Sequence, residues 1–109
     1  MGEDKLLFDL SGDIKTPPMS TEARRKAGQF LRYLQQGEIL TMPHAKRIEV
    51  IGPRCYELRI SDHPVTWRLL YRVDEDAIIV LEIFSKKTRK LPNKIIKLCR
   101  QRLRYYDDG

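Results

Sequence analysis

The sequence predicts an α+β fold: a small curved antiparallel sheet of three to five strands with helices packed on one face. Three observations carry this. Two segments, 20–36 and 92–106, repeat apolar residues at the 3.6-residue period of a helix with one buried stripe. Between them, residues 55–84 hold three strand-like stretches rich in β-branched and aromatic side chains. The segments joining these stretches are too short for crossovers, which makes the three an antiparallel meander. A chain of 109 residues, 41% hydrophobic and 33% charged, suits a single domain, 1–109, around one modest core.

Taken in order, Leu6-Leu7-Phe8-Asp9-Leu10 reads as a short first strand, ended by the turn-forming Ser11-Gly12-Asp13. Pro17-Pro18 precedes a helix that begins near Ser20 or Thr21, either of which can cap its free N–H groups. Ala23, Ala27, Phe30, Leu31 and Leu34 form its apolar stripe, Arg24, Arg25, Lys26 and Arg32 its outer face, and Gly37 its left-handed stop. Residues 38–53 read as irregular, with turns at Pro43 and Gly52-Pro53 and a short strand at Ile48–Ile51.

Cys55–Ser61 alternates Tyr56, Leu58 and Ile60 with Cys55, Glu57 and Arg59. Val65–Val73 sets Val65, Trp67, Leu69, Tyr71 and Val73 against Thr66, Arg68, Leu70 and Arg72, and the alternation makes Trp67 and Tyr71 core residues. Asp74-Glu75-Asp76 turns into Ala77–Phe84, a nearly continuous apolar strand that belongs inside the sheet. Pro92 opens the last helix, whose Ile95, Ile96, Cys99, Leu103 and Tyr106 face the core, while Tyr105 points to solvent or substrate.

Charge is unevenly distributed. Ser85 to Tyr106 holds nine Lys or Arg and no Asp or Glu, whereas residues 1–84 hold twelve basic and thirteen acidic side chains. The formal net charge of +6 is therefore local. A concentrated positive field attracts polyanions, and counterion release favours nucleic acid among them. No apolar run approaches the ~20 residues of a membrane span, so no membrane partner is expected. Met1-Gly2-Glu3-Asp4-Lys5 lacks the features of a signal peptide, and Leu6 breaks the myristoylation pattern; the expected location is the cytoplasm. Cys55 and Cys99 have no CxxC or companion histidine spacing and read as small buried hydrophobes.

If helices cover the face of Tyr56, Leu58, Trp67, Leu69 and Tyr71, Arg59 and Arg68 project together from the other. With Ala77, Ile79, Leu81 and Ile83 turned toward the helices, Glu82, Phe84 and Lys86 join the arginines. Lys87, Arg89 and Lys90 extend this positive platform into a loop. Arginine forks bind phosphate oxygens, and an aromatic ring such as Phe84 stacks on an unpaired base. The plainer reading is that Arg59 and Arg68 pair with Glu57 or Glu82 across the sheet. Cleaving RNA without a metal needs a base for the 2′-hydroxyl and cations for the phosphorane. No HExxH, carboxylate cluster or Cys/His set is present for a metal, and no cofactor is implied. His44 and His63 sit in turn-like segments outside the platform, which leaves Lys86 or Lys87, with its pKa lowered by neighbouring cations, as the candidate base.

Four segments together resemble the phage-derived, HigB-like branch of the RelE/ParE type II toxin superfamily, over roughly residues 20–106. They are Tyr56-Glu57-Leu58-Arg59; Trp67-Arg68-Leu69-Leu70-Tyr71-Arg72; Phe84-Ser85-Lys86-Lys87-Thr88-Arg89-Lys90-Leu91-Pro92; and Cys99-Arg100-Gln101-Arg102-Leu103. The resemblance implies a RelE-like fold and a toxin that cuts messenger RNA on the ribosome, restrained by a cognate antitoxin protein. It puts Arg59 at a basic position of the catalytic sheet, Arg68 at the arginine that contacts the scissile phosphate, and Lys86 and Lys87 at the basic pair ending the last strand. Phe84, Arg89, Lys90, Lys94 and Tyr105 are the further RNA-contacting candidates, and Tyr105 is the candidate for the catalytic tyrosine that several relatives carry near the chain end. Glu57 stands where some relatives carry lysine, and Asn93 where one carries a catalytic tyrosine. Two other readings stay open: a ParE-like inhibitor of DNA gyrase, and a RelE-like binding module whose catalysis has lapsed.

Overall fold

The computed structural model describes residues 3–11, 18–85 and 90–109. Its elements run β1 (Leu6–Asp9), α1 (Thr21–Gln35), β2 (Ala45–Arg47), β3 (Cys55–Asp62), β4 (Val65–Val73), β5 (Ala77–Ser85) and α2 (Asn93–Asp108). The strands form one open five-stranded sheet in the order β1-β5-β4-β3-β2. The meander β3-β4-β5 is antiparallel as expected, and β2 extends it antiparallel to β3. β1 instead lies parallel to β5, Leu6 beside Ala77 and Asp9 beside Val80, so the sheet is mixed rather than antiparallel.

α1 begins where its sequence allows. Ser20 is the N-cap, and its hydroxyl accepts a 3.0 Å bond from Ala23 N–H. Gly37, at φ +92°, ends the helix in the left-handed region that glycine tolerates. Ala23, Ala27, Leu31 and Leu34 pack onto Leu58, Ile60, Trp67, Leu69 and Tyr71. The strand expected at Ile48–Ile51 is a turn, and its place beside β3 is taken by Ala45–Arg47.

The second helix corrects the expectation that helices share one face. α2 packs on the opposite side, where Cys99 and Leu103 meet Cys55, Leu70, Ala77, Ile79 and Leu81. The cause lies in β5. Leu70 pairs with Glu82 but Tyr71 pairs with Val80, so Leu81 is an extra residue and the strand changes parity there. Ile78, Val80 and Ile83 face α1, whereas Ala77, Ile79 and Leu81 face α2. Simple alternation had put Ala77, Ile79, Leu81 and Ile83 together; only Ile83 keeps that side. The apolar run of β5 is continuous because both its faces are covered.

Candidate nucleic-acid interface

α2 covers the half of its face that holds Cys55, Leu70 and the start of β5. At the edge of that cover, register brings three predicted residues into one row. Arg59 on β3 lies directly opposite Arg68 on β4, and Arg68 directly opposite Phe84 on β5. Facing partners on neighbouring strands have Cα atoms about 5 Å apart. The bulge at Leu81 leaves Phe84 on the arginine side, as the sequence predicted.

The next row along the same face is Glu57, Leu70 and Glu82. Like charges set opposite one another destabilise a sheet, and Glu57 offsets the two arginines. Its Oε1 lies 3.4 Å from Arg68 Nη1 and 3.6 Å from Arg59 Nε. The Glu57 side chain is only 1% exposed, against 12% for Arg68 and 33% for Arg59. Both contacts are long, and the Nε atoms of Arg59 and Arg68 are buried with no hydrogen-bond partner among the described residues. The plainer sequence reading therefore holds for Glu57. It fails for Glu82, whose Oε1 pairs with Arg102 Nη1 of α2 at 3.4 Å. The same Arg102 nitrogen also donates to the Leu81 carbonyl.

Arg72, four residues along β4, is built differently. Its Nε and Nη2 donate to Asp74 at 2.8 and 2.9 Å, and its Nη1 and Nη2 to Asp107 at 2.9 and 2.7 Å. Its guanidinium also lies 5.8 Å from the Tyr106 ring centroid. The bonds from Arg72 hold the Asp107 carboxyl below the usual carboxylate range, and those bonds in turn raise the Arg72 pKa. This arginine fastens the end of α2 to the sheet.

The other predicted residues are spread more widely. Lys86, Lys87 and Arg89 lie outside the described residues. Lys90 is exposed just before α2, and Lys94 is exposed in its first turn. Tyr105 is 78% exposed. It borders a separate hollow of about 370 Å³ with Leu10, Leu98, Gln101 and Arg102, and does not join the arginine row. His44 and His63 are exposed on turns, His44 with its ring 5.3 Å from that of Phe30. Among the described residues, no three His, Cys, Asp or Glu side chains stand together as a metal site. Cys55 and Cys99 are buried free thiols, with burial raising their pKa to about 11 and about 12.

Sequence reasoning missed the burial of Glu57 and the placing of Arg102 and Asp107. The signal for Glu57 was its company, since it shares a face with Cys55 and, across β4, with Leu70. Apolar residues on that face call for a cover, and Glu57 is a carboxylate standing among them.

Residues 17–104 match the family described as phage-derived protein Gp49-like (DUF891). The chain belongs to this Gp49-like family. Membership is consistent with a toxin-like module, and the match spans both helices' core stripes as well as the row of Arg59, Arg68 and Phe84. No curated protein matches the chain. Among the described residues, no helix of this Gp49-like protein is long and apolar enough to cross a membrane.

Proposed function

We propose that the chain is the toxin of a type II toxin–antitoxin pair, a HigB-like and RelE-like endoribonuclease that cuts messenger RNA on the ribosome in the cytoplasm. The observation that carries this reading is the row Arg59–Arg68–Phe84, with two guanidinium groups loosely held by one carboxylate beside a half-buried aromatic ring. Arg72 on the same strand as Arg68 spends four of its five N–H donors on carboxylates, whereas Arg59 and Arg68 share one Glu57 oxygen at 3.6 and 3.4 Å. In the proposed reaction the 2′-hydroxyl attacks the adjacent phosphorus to form a 2′,3′-cyclic phosphate, the 5′-oxygen of the next nucleotide leaves and takes a proton from water, and Arg59 and Arg68 stabilise the charge on the phosphorane oxygens. Phe84 stacks on a base beside the cut. Lys86 and Lys87 supply further positive charge, and one of them takes the proton of the 2′-hydroxyl. The ribosome contributes orientation, which a shallow surface of this kind cannot give a flexible strand. The partners of this reading are the translated message and an antitoxin whose acidic segment masks the basic surface. It invokes no metal or cofactor.

The test is induced expression in a bacterial host with the 5′ ends of cellular messages mapped, and Arg68→Ala as control. Cleavage inside translated frames that disappears in the variant is the expected result. Growth arrest without cleavage would shift the assignment to gyrase inhibition. Neither effect would leave a binding module without catalysis.

A further inference from the structure

We propose that Glu57 is the positioning residue of this site, a buried counter-charge that sets Arg59 and Arg68 as a two-armed clamp for one phosphodiester. The inference rests on the reading of the arginine row as an RNA phosphate site.

The arrangement is costly. A carboxylate 1% exposed on an interior strand carries a large desolvation penalty. Replacing buried ion clusters with apolar side chains is commonly neutral or stabilising, so stability alone does not call for the triad. Leu70, the cross-strand neighbour of Glu57, shows that this row accepts an apolar residue. Where the same strand needs an arginine for stability, at Arg72, bonds of 2.7–2.9 Å engage four of its five N–H donors. Glu57 does the reverse: one oxygen accepts a single long bond from Arg68 Nη1 at 3.4 Å and lies 3.6 Å from Arg59 Nε, so the pair spends far fewer N–H donors on carboxylate than Arg72 does.

Its position also explains how both arms come to point one way. Arg59 is two residues from Glu57 on β3, and Arg68 is in the next row on β4, so the carboxylate lies diagonal to one and alongside the other. Without it, two facing guanidiniums repel and splay. Formal charge fits the same role. Two arginines outnumber the one glutamate between them, so these three side chains keep the positive sign that a phosphodiester requires. The other acidic side chain on this stretch, Glu82, is engaged by Arg102 and adds no net charge to the clamp.

The experiment compares the full chain with Glu57→Gln and Glu57→Asp. One readout is affinity for an all-deoxy single-stranded oligonucleotide, which cannot be cut by 2′-hydroxyl attack, measured across a salt series. The second is the Nε–Hε NMR signals of Arg59 and Arg68, and the third is message cleavage in the induced host. Glu57→Gln should bind the oligonucleotide at least as tightly, with a salt slope steeper by about one phosphate contact. It should also shift both arginine signals and lose at least tenfold in cleavage. Glu57→Asp, which keeps the charge one methylene further back, should fall between the two. If Glu57→Gln does not fold, Glu57→Asp decides alone: shifted arginine signals with binding kept and cleavage reduced support the clamp. Unchanged signals and wild-type cleavage in a folded variant overturn it, as does a parallel loss of binding and cleavage, which would mark Glu57 as merely structural. A wild-type chain that binds but does not cut would defeat the nuclease reading, leaving the arginine signals and salt slope to judge Glu57.

Discussion

Arg72 on β4 and Asp107 near the end of α2 meet through two charge-assisted hydrogen bonds, of 2.9 and 2.7 Å. They fasten the last turn of a helix to the centre of the sheet, across 35 residues of sequence. Asp107 is 48% exposed, so solvent screens part of the gain, and Asp107→Asn should cost about 1 kcal/mol in urea unfolding at neutral pH. The pH dependence has a definite sign. Asp107 has a folded pKa below its unfolded value of about 3.9, because Arg72 donates to its carboxylate. Its contribution is complete above that value and is lost as pH falls through the folded one. The gap between wild type and Asp107→Asn should thus close in acid, and a gap independent of pH would show that Asp107 acts by packing alone.

Much of the architecture was legible because it is local. The stripe of α1, its Ser20 cap, the bounds of β4 and the core roles of Trp67 and Tyr71 follow from period and capping chemistry within a few residues. The side taken by α2 was also written in the chain, in the unbroken apolar run Ala77–Leu81 together with Leu70 and Cys55, since one-sided cover would leave alternate positions polar. What alternation could not supply was the bulge at Leu81, a change of register that depends on the partner strand. The parallel pairing of β1 and the bond from Arg72 to Asp107 depend likewise on residues far apart in sequence. The site divides the same way. Arg59, Arg68 and Phe84 followed from strand parity, while the buried carboxylate beneath them required knowing where α2 comes to rest.

The α1 cap joins a second long-range link. Ser20 bonds Ala23 N–H through its hydroxyl, and its own N–H donates to Asp62 Oδ2 at 3.0 Å, the oxygen that also accepts from Trp67 Nε1 at 3.0 Å. The backbone bond from Ser20 first, then a bond from its hydroxyl and the bond from Trp67, lower the Asp62 pKa. Ser20→Ala removes the cap and the hydroxyl's bond to Asp62 but leaves the backbone donor and the Trp67 bond, so it should cost about 1 kcal/mol with only a small change in Trp67 fluorescence. Asp62→Ala should instead free the indole N–H and shift that emission. If Ser20→Ala moves the emission as far as Asp62→Ala does, cap and indole are coupled more tightly than the bonds imply.

The thiols of Cys55 and Cys99 give a direct probe of the α2 face. Burial raises their pKa to about 11 and about 12, against about 8.5 for a free cysteine. In the folded protein at pH 8, neither should react with a thiol reagent on the timescale of a free cysteine, and both should react at once in denaturant. Because these are acids with raised folded pKa values, their share of stability is present below about pH 8.5 and is lost as pH rises through the folded values. Prompt labelling of either thiol in the native state would mean that α2 leaves the sheet readily.

The sharpest prediction sets two arginines of one strand against each other. Arg68 has a single 3.4 Å contact to Glu57, whereas Arg72 makes four bonds to two aspartates. Lysine keeps the charge of either but not the planar fork. Arg72→Lys should therefore cost about 2 kcal/mol of stability, since charge-assisted bonds are lost from a buried site, with cleavage by the folded fraction little changed. Arg68→Lys should leave the unfolding midpoint within about 1 kcal/mol of wild type, yet reduce message cleavage about a hundredfold, as expected when a donor to the transition state is removed. Urea unfolding paired with mapped cleavage ends in the induced host reads both effects. Cleavage that tracks stability in the two variants alike would refute the division of labour, and with it the placing of Arg68 at the phosphate.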